Sequence, residues 1–250
     1  MANRIKKERG TTISELRWPI EKAEFAEISD QWTPKLVIQS FELVWSAYDL
    51  LKTDVLTKVD CTKASKQIEK NINSLLQLRI SRLMTGYEPF DVQHEVPEFE
   101  TSHSDKAQPP SYDIAFILRS NERIILPLEA KVLKTDKTIS KYINEVKSNF
   151  LTCRYSPFSS QAGMLGYCLG NNSQETFNNI SIALPCTLSN HPNFIDRDHK
   201  ISDHQRNVPV GKEYPVKFRC HHLLLQLTQQ ENVKQTIEEE KVPKSLISDM

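Results

Sequence analysis

The chain has 250 residues, of which 38% are hydrophobic and 26% charged, with only six glycines, so it is long and apolar enough to bury a core and too mixed to be fibrous or disordered. Its 32 basic and 32 acidic residues cancel, which excludes binding to nucleic acid through net charge and leaves room for a local basic groove. No run approaches the roughly 20 apolar residues that cross a bilayer, and MANRIKKERGTTISELRW has no apolar segment behind its basic residues, so no membrane partner and a cytoplasmic location are expected.

Residues 1–34 are polar, are broken by Pro19 and Pro34, and read as an arm. From Lys35, KLVIQSFELVWSAYDLL places Val37, Phe41, Val44, Trp45, Tyr48 and Leu51 at three- and four-residue steps, which predicts an amphipathic helix inside an N-terminal region of 1–54. A second helix is predicted over 62–84, with Ile68, Ile72, Leu75, Leu76, Ile80 and Leu83 on one face and Gly86 as its stop. The period then changes to two. FDVQHEVPEFE reads as a strand, TSHSDKAQPPS as a loop, and YDIAFILRSNERIILPLEAKVL as two strands joined at 119–123 in a hairpin. TISKYINEVKSNFL returns to helical spacing, with Asp136 or Thr138 as its cap. AGMLGYCLG, ISIALPCTL and FRCHHLLLQL have the length and apolarity of strands covered on both faces. The tail from Gln229 is charged and poor in apolar residues, which predicts a solvated helix or disorder. The expected fold is α/β: a mixed central sheet flanked by helices over 55–228, preceded by a helical N-terminal region and followed by a charged tail at 229–250. Cys61, Cys153, Cys168, Cys186 and Cys220 form no C-x-x-C pair and read as reduced and mostly buried.

Chemistry concentrates on the hairpin. Asp113 starts its first strand, and Glu129 and Lys131 lie near the end of its second, so antiparallel pairing brings all three to one end of the sheet. Glu129 and Lys131 share a face, and Ala130 points the other way. Two carboxylates suit a hard divalent cation, and an adjacent ammonium can orient an attacking water or stabilise charge on a phosphodiester. The bland alternative is a Glu–Lys pair on a solvated face; the apolar residues on both sides of the pair argue against it.

Asp113, followed sixteen positions later by Glu129-Ala130-Lys131 between Ile124–Leu128 and Val132-Leu133, resembles the PD-(D/E)XK nuclease superfamily, and the order of elements over about 62–188 is similar. Tyr112 stands where the motif has proline, and the glutamine–tyrosine motif of the exonuclease branch is absent. The resemblance implies a restriction endonuclease-like core and an endonuclease that hydrolyses DNA, with RNA not excluded. It implies Mg²⁺ (or Mn²⁺) held by Asp113, Glu129 and the carbonyl of Ala130, with Lys131 positioning or activating water. Glu69, on the leading helix, corresponds to a further catalytic contact, although its sequence setting equally suits a solvated helix surface. Target choice is then expected from a partner protein or a homo-oligomer, as in a defence or restriction effector. The rival function is a catalytically silent nuclease-like binding or assembly subunit; a hydrolase of another phosphoester is a third.

Basic residues expected to touch a phosphate backbone are Lys134, Lys137, Arg197, Lys200 and Arg206. His191, His199 and His204 are expected in a polar surface loop rather than a zinc site, and His221 and His222 on opposite faces of a strand.

Overall fold

A computed structural model describes residues 32–58, 60, 63–98, 110–134, 136–169 and 172–227. The N-terminal arm up to residue 31, most of the 101–111 loop, Cys61 and the tail from Gln229 lie outside them. Helix α1 (Pro34–Lys58) begins with proline at a position where no N–H is required. Its stripe Val37, Phe41, Val44, Trp45, Tyr48 and Leu51 is buried throughout. Helix α2 (Ser65–Leu83) buries Ile68, Ile72, Leu76 and Ile80, and the chain turns after it at Gly86, whose φ is +89°. The Glu88 carboxylate accepts from the N–H groups of Thr85 and Gly86, both at 2.9 Å, and fixes that turn.

Strands β1 (Phe90–Pro97), β2 (Ser111–Leu118) and β3 (Ile125–Leu133) form an antiparallel meander whose second turn lies at 119–124. Helix α3 (Asp136–Glu145) continues into a π-helical turn (Val146–Phe150) and crosses over to β4 (Gln161–Cys168), which runs parallel to β3. Helix α4 (Ser173–Ala183) precedes the short β5 (Ser189–Asn190), β6 (His199–Gln205) and β7 (Lys217–Gln226). The seven-stranded order is β1-β2-β3-β4-β7-β6-β5, with β4 and β7 parallel and the β7-β6-β5 edge antiparallel. The result is α/β with a mixed sheet flanked by helices.

One core lies under α1 and α2 and includes Phe90, Phe116, Leu128, Leu165 and Leu223. The other lies under α3 and α4 and includes Ala115, Ile125, Met164, Phe177 and Leu224. Strands buried on both faces account for the near-continuous apolar runs. Helix α1 runs across residue 54 and packs into the first core, so the helical part of 1–54 and the sheet share one interior.

ISIALPCTL is not a strand. Asn172 caps α4 by accepting from Gln174 and Glu175 N–H, and Phe177, Ile180 and Leu184 are buried at helical spacing. The expected strand contains the end of that helix and the turn after it, because a short apolar run carries no period that separates the two.

Gly163 and Gly166 leave room on β4 for leucine side chains of the flanking strands β3 and β7. A Cβ on Gly163 would lie 2.4 Å from Leu128 Cδ2, and one on Gly166 would lie 2.5 Å from Leu224 Cδ2 and 2.7 Å from Leu133 Cδ1. Gly163→Ala and Gly166→Ala are each expected to destabilise by about 1–3 kcal/mol in urea unfolding, since a packed core must shift to admit the methyl group. An unchanged midpoint would mean that these leucines move freely.

Candidate metal and phosphodiester site

The β2–β3 ladder ends at Ile114 opposite Leu128, so Asp113 and Glu129 lie just beyond its last pair. Asp113 Oδ2 accepts from Ala130 N–H at 2.8 Å, which ties its carboxylate to the strand that carries the E-x-K residues. Tyr112, in the proline position, is fully buried; its hydroxyl donates to Glu98 and accepts from Ser156 N–H at 2.7 Å, anchoring the start of β2.

Lys131 Nζ donates to Glu129 Oε1 at 2.6 Å and to Ala130 O at 2.8 Å, with Glu145 Oε1 at 3.4 Å and Glu69 Oε1 at 3.8 Å. Glu69 reaches in from α2 and accepts from Val132 N–H at 3.3 Å. Three carboxylates therefore surround one ammonium, and the charge of Asp113 acts on it as well. The Glu129 side chain is only 7% exposed; its Oε2 is buried and meets no N–H or hydroxyl donor among the described residues, and a carboxyl–carboxyl hydrogen bond with Glu129 holds Asp113 down against the rise that burial imposes.

Burial pushes the Glu129 carboxyl well above the usual carboxylate range, with the charge of Asp113 adding to it. Burial also raises Asp113, against the pull of Lys131, and lifts Glu69 to about 7. For Lys131, burial opposes the charge, but Glu129, Glu69, Glu145 and Asp113 together outweigh it and hold the ammonium above its ordinary value. The site therefore holds more carboxyls than its one lysine could neutralise if all were ionised, and burial opposes that ionisation.

The structure brings together Asp113, Glu129, Ala130, Lys131 and Glu69, and adds Glu145. Nothing in the sequence singled Glu145 out, because a carboxylate on the flank of a helix has no spacing signature. The one cue is its place on α3 three residues after the buried Tyr142, on the crossover from β3 to β4. A pocket of about 170 Å³ opens between Glu69, Lys131, Thr138 and two exposed lysines, Lys66 and Lys141.

Of the other basic residues, Lys134 is half-buried at the end of β3, and the side chain of Lys137 lies outside the described residues. Arg197 is bidentate to Asp49 at 2.8 and 2.7 Å, on the α1 side of the sheet. Lys200 Nζ lies 4.8 Å from the Phe177 ring, on the α4 side, so the two form no common patch. Arg206 is buried, donates to Ser156 O at 2.9 Å and lies over Phe218. Its guanidinium faces the core instead of a phosphate backbone.

His191, His199 and His204 do not form a surface loop: His191 and His199 are buried, and His199 and His204 belong to β6, where His204 is half-buried. Nitrogens of His191, His199 and His221 lie within 4.8 Å of one another, but hydrogen bonds account for those of His199 and His221. Trp45 Nε1–H donates to His199 Nδ1 at 3.3 Å, His199 Nε2 meets His221 Nδ1 at 3.1 Å, and His221 Nε2 meets Gln161 Oε1 at 3.0 Å. An indole only donates, so the protons run one way along this neutral chain. On the other face, as expected of adjacent strand residues, His222 bridges Tyr142 and Ser202 at 2.8 Å each, and Ser202 meets His204 at 2.7 Å. Burial lowers His199 to about 2 and His222 to about 3. Cys153, Cys168 and Cys220 are buried free thiols, and burial raises all three, the opposite of an activated nucleophile.

No helix among the described residues is long and apolar enough to cross a membrane. No protein-family model, curated protein or solved structure matches the chain.

Proposed function

We propose that the chain is a Mg²⁺-dependent endonuclease of the PD-(D/E)XK type that hydrolyses DNA. The observation that carries the reading is the buried Oε2 of Glu129, which no N–H or hydroxyl donor among the described residues reaches, beside Asp113 in a cluster of carboxyls whose ionisation burial opposes. A buried carboxylate oxygen without a donor is costly, and a divalent cation is the partner that this donor set suits. Asp113, Glu129 and the Ala130 carbonyl would hold the ion, and Ala130 N–H keeps Asp113 aimed at it. When bound, the ion makes a water more acidic and neutralises charge on the phosphate. Lys131 orients that water and balances charge on the phosphoryl oxygens. Lys66 and Lys141, at the mouth of the pocket, meet the flanking phosphates. Target selection comes from a partner protein or a second copy, as in an effector of a defence or restriction system.

The test is incubation of the purified protein with supercoiled DNA, linear DNA and RNA, in Mg²⁺, Mn²⁺ or EDTA, beside Asp113→Asn, Glu129→Gln and Lys131→Met. Cation-dependent cleavage of DNA that leaves 5′-phosphate ends and disappears in the variants is the expected result. Cleavage that survives the three substitutions would place the chemistry elsewhere, and preferential RNA cleavage would change the substrate. DNA binding without cleavage in every metal would favour a silent binding subunit.

Lys66→Ala and Lys141→Ala are each expected to weaken DNA binding uniformly across sequences and to lower the salt slope by about one. Fluorescence anisotropy at several salt concentrations measures both, and unchanged slopes would put the DNA on another face.

A further inference from the structure

Lys131 Nζ holds Ala130 O, which the proposed function assigns to a cation, and Glu129 Oε1, the oxygen next to the Oε2 on which that assignment rests. A divalent ion on Oε2 and Ala130 O would lie within a few ångströms of the ammonium, and the two like charges would repel strongly in a site with little solvent. Cation entry therefore has to move the lysine. Two carboxylates lie within reach, and they differ in how they are held. Glu69 spends Oε2 on Val132 N–H, and its Oε1 is the farther acceptor at 3.8 Å. Glu145 has Oε2 fixed by Asn149 Nδ2 and presents Oε1 to the ammonium at 3.4 Å.

Glu145 is also the last residue of α3 before the chain widens into the π-helical turn at Val146–Phe150. A π turn inside a helix is a costly local geometry that recurs at functional sites. Here it starts directly after Glu145 and contains Asn149, the residue that aims the carboxylate.

We propose that Glu145 is a positioning residue that receives the Lys131 ammonium when a divalent cation takes Glu129 and Ala130, keeping the lysine beside the reacting phosphate. The inference rests on the nuclease reading of the same site. Closing the 3.4 Å gap to a charge-assisted hydrogen bond of about 2.8 Å needs a small rotation of the lysine head, with its stem left in place. Without that acceptor, the displaced ammonium competes for Glu129 or swings away.

Wild type, Glu145→Gln, Lys131→Met and the double variant form a cycle that isolates the pair. Calorimetric titration with Mn²⁺ alone measures cation affinity, DNA cleavage measures kcat, and urea midpoints confirm folding. Lys131→Met is expected to bind Mn²⁺ at least about 10-fold more tightly than wild type, because the resident cation is gone. Glu145→Gln is expected to bind it about 5–10-fold more weakly and to lose about 10-fold in kcat, and most of its affinity loss should vanish in the Lys131→Met background. An affinity loss of equal size in both backgrounds would make Glu145 a direct ligand, and wild-type affinity and kcat in Glu145→Gln would give it no part; either result overturns the inference. A wild type that binds no Mn²⁺ and cleaves nothing would overturn the nuclease reading and this inference together.

Discussion

Lys131→Met should lower cation-dependent DNA cleavage by at least about 10³-fold in kcat, and Glu129→Gln should do the same, while their effects on stability have opposite signs. Both substitutions remove a group that would face the reacting phosphate or its cation. Glu129→Gln also removes a buried carboxyl whose ionisation burial and Asp113 oppose, so the metal-free protein should become about 1–2 kcal/mol more stable at about pH 8, where the unfolded carboxyl is ionised. Lys131→Met removes the only cation of that cluster among the described residues and should destabilise. A group kept only for packing would not combine lost activity with gained stability. Full activity in Glu129→Gln, or an equal loss of stability in both variants, would remove the basis for the site.

The second large effect concerns stability and pH. Lys131, with its side chain 14% exposed, is the partner of Glu129 and neighbours three further carboxylates, and breaking a buried pair by removing one member costs about 3–5 kcal/mol. Lys131→Met should therefore lose that amount at about pH 8 in EDTA. The sign follows from linkage. A carboxyl whose folded pKa is raised, such as Glu69 from 4.5 to about 7, has its full contribution to stability below the unfolded pKa and loses it as pH rises through the folded one. The deficit of Lys131→Met should thus shrink toward about pH 5, where the carboxyls take up protons, and Mn²⁺ should reverse part of it at about pH 8. Glu69→Gln should gain on the order of 2 kcal/mol at about pH 8 and little at about pH 5, after allowance for its lost contact with Val132 N–H. The buried histidines act in the opposite sense, since lowered pKa values cost stability as pH falls below about 6.5, but they are common to all variants and cancel in the differences. Urea unfolding at several pH values checks the series, and a deficit independent of pH would mean that Lys131 acts through packing alone.

What was legible in the sequence follows from where periodicity exists. The stripe from Val37 to Leu51 and the row Ile68, Ile72, Leu76 and Ile80 mark helices because each buries one face, and the 119–123 turn marks the hairpin because polar residues interrupt two apolar strands. The alternation at Glu129 and Lys131 placed both on one face, and the hairpin placed Asp113 beside them. Glu145 was invisible because its position depends on how the crossover from β3 lays α3 back on the sheet, a tertiary fact without a local signal. Strand β6 reads HKISDHQ, with His199 and Ser202 as its buried residues, so burial there is satisfied by hydrogen bonds and leaves no apolar pattern. The same holds for Arg206, whose buried guanidinium looks in sequence like any surface arginine. Polar residues that fold inward are the common cause of these misreadings.

The two hydrogen-bonded chains on either face of β7 have a consequence for how the sheet assembles. His221 finds Gln161 and His199 on the α1 side, and His222 finds Tyr142 and Ser202 on the α3 side. A slip of β7 by one residue would move one ring into the other's slot and set the remaining imidazole among apolar neighbours, leaving its two nitrogens without partners. An apolar strand such as Leu223–Leu225 distinguishes poorly between one register and the next, because a leucine suits either face. The adjacent histidines act as a key that fits one alignment, so β7 enters between β4 and β6 in a single register.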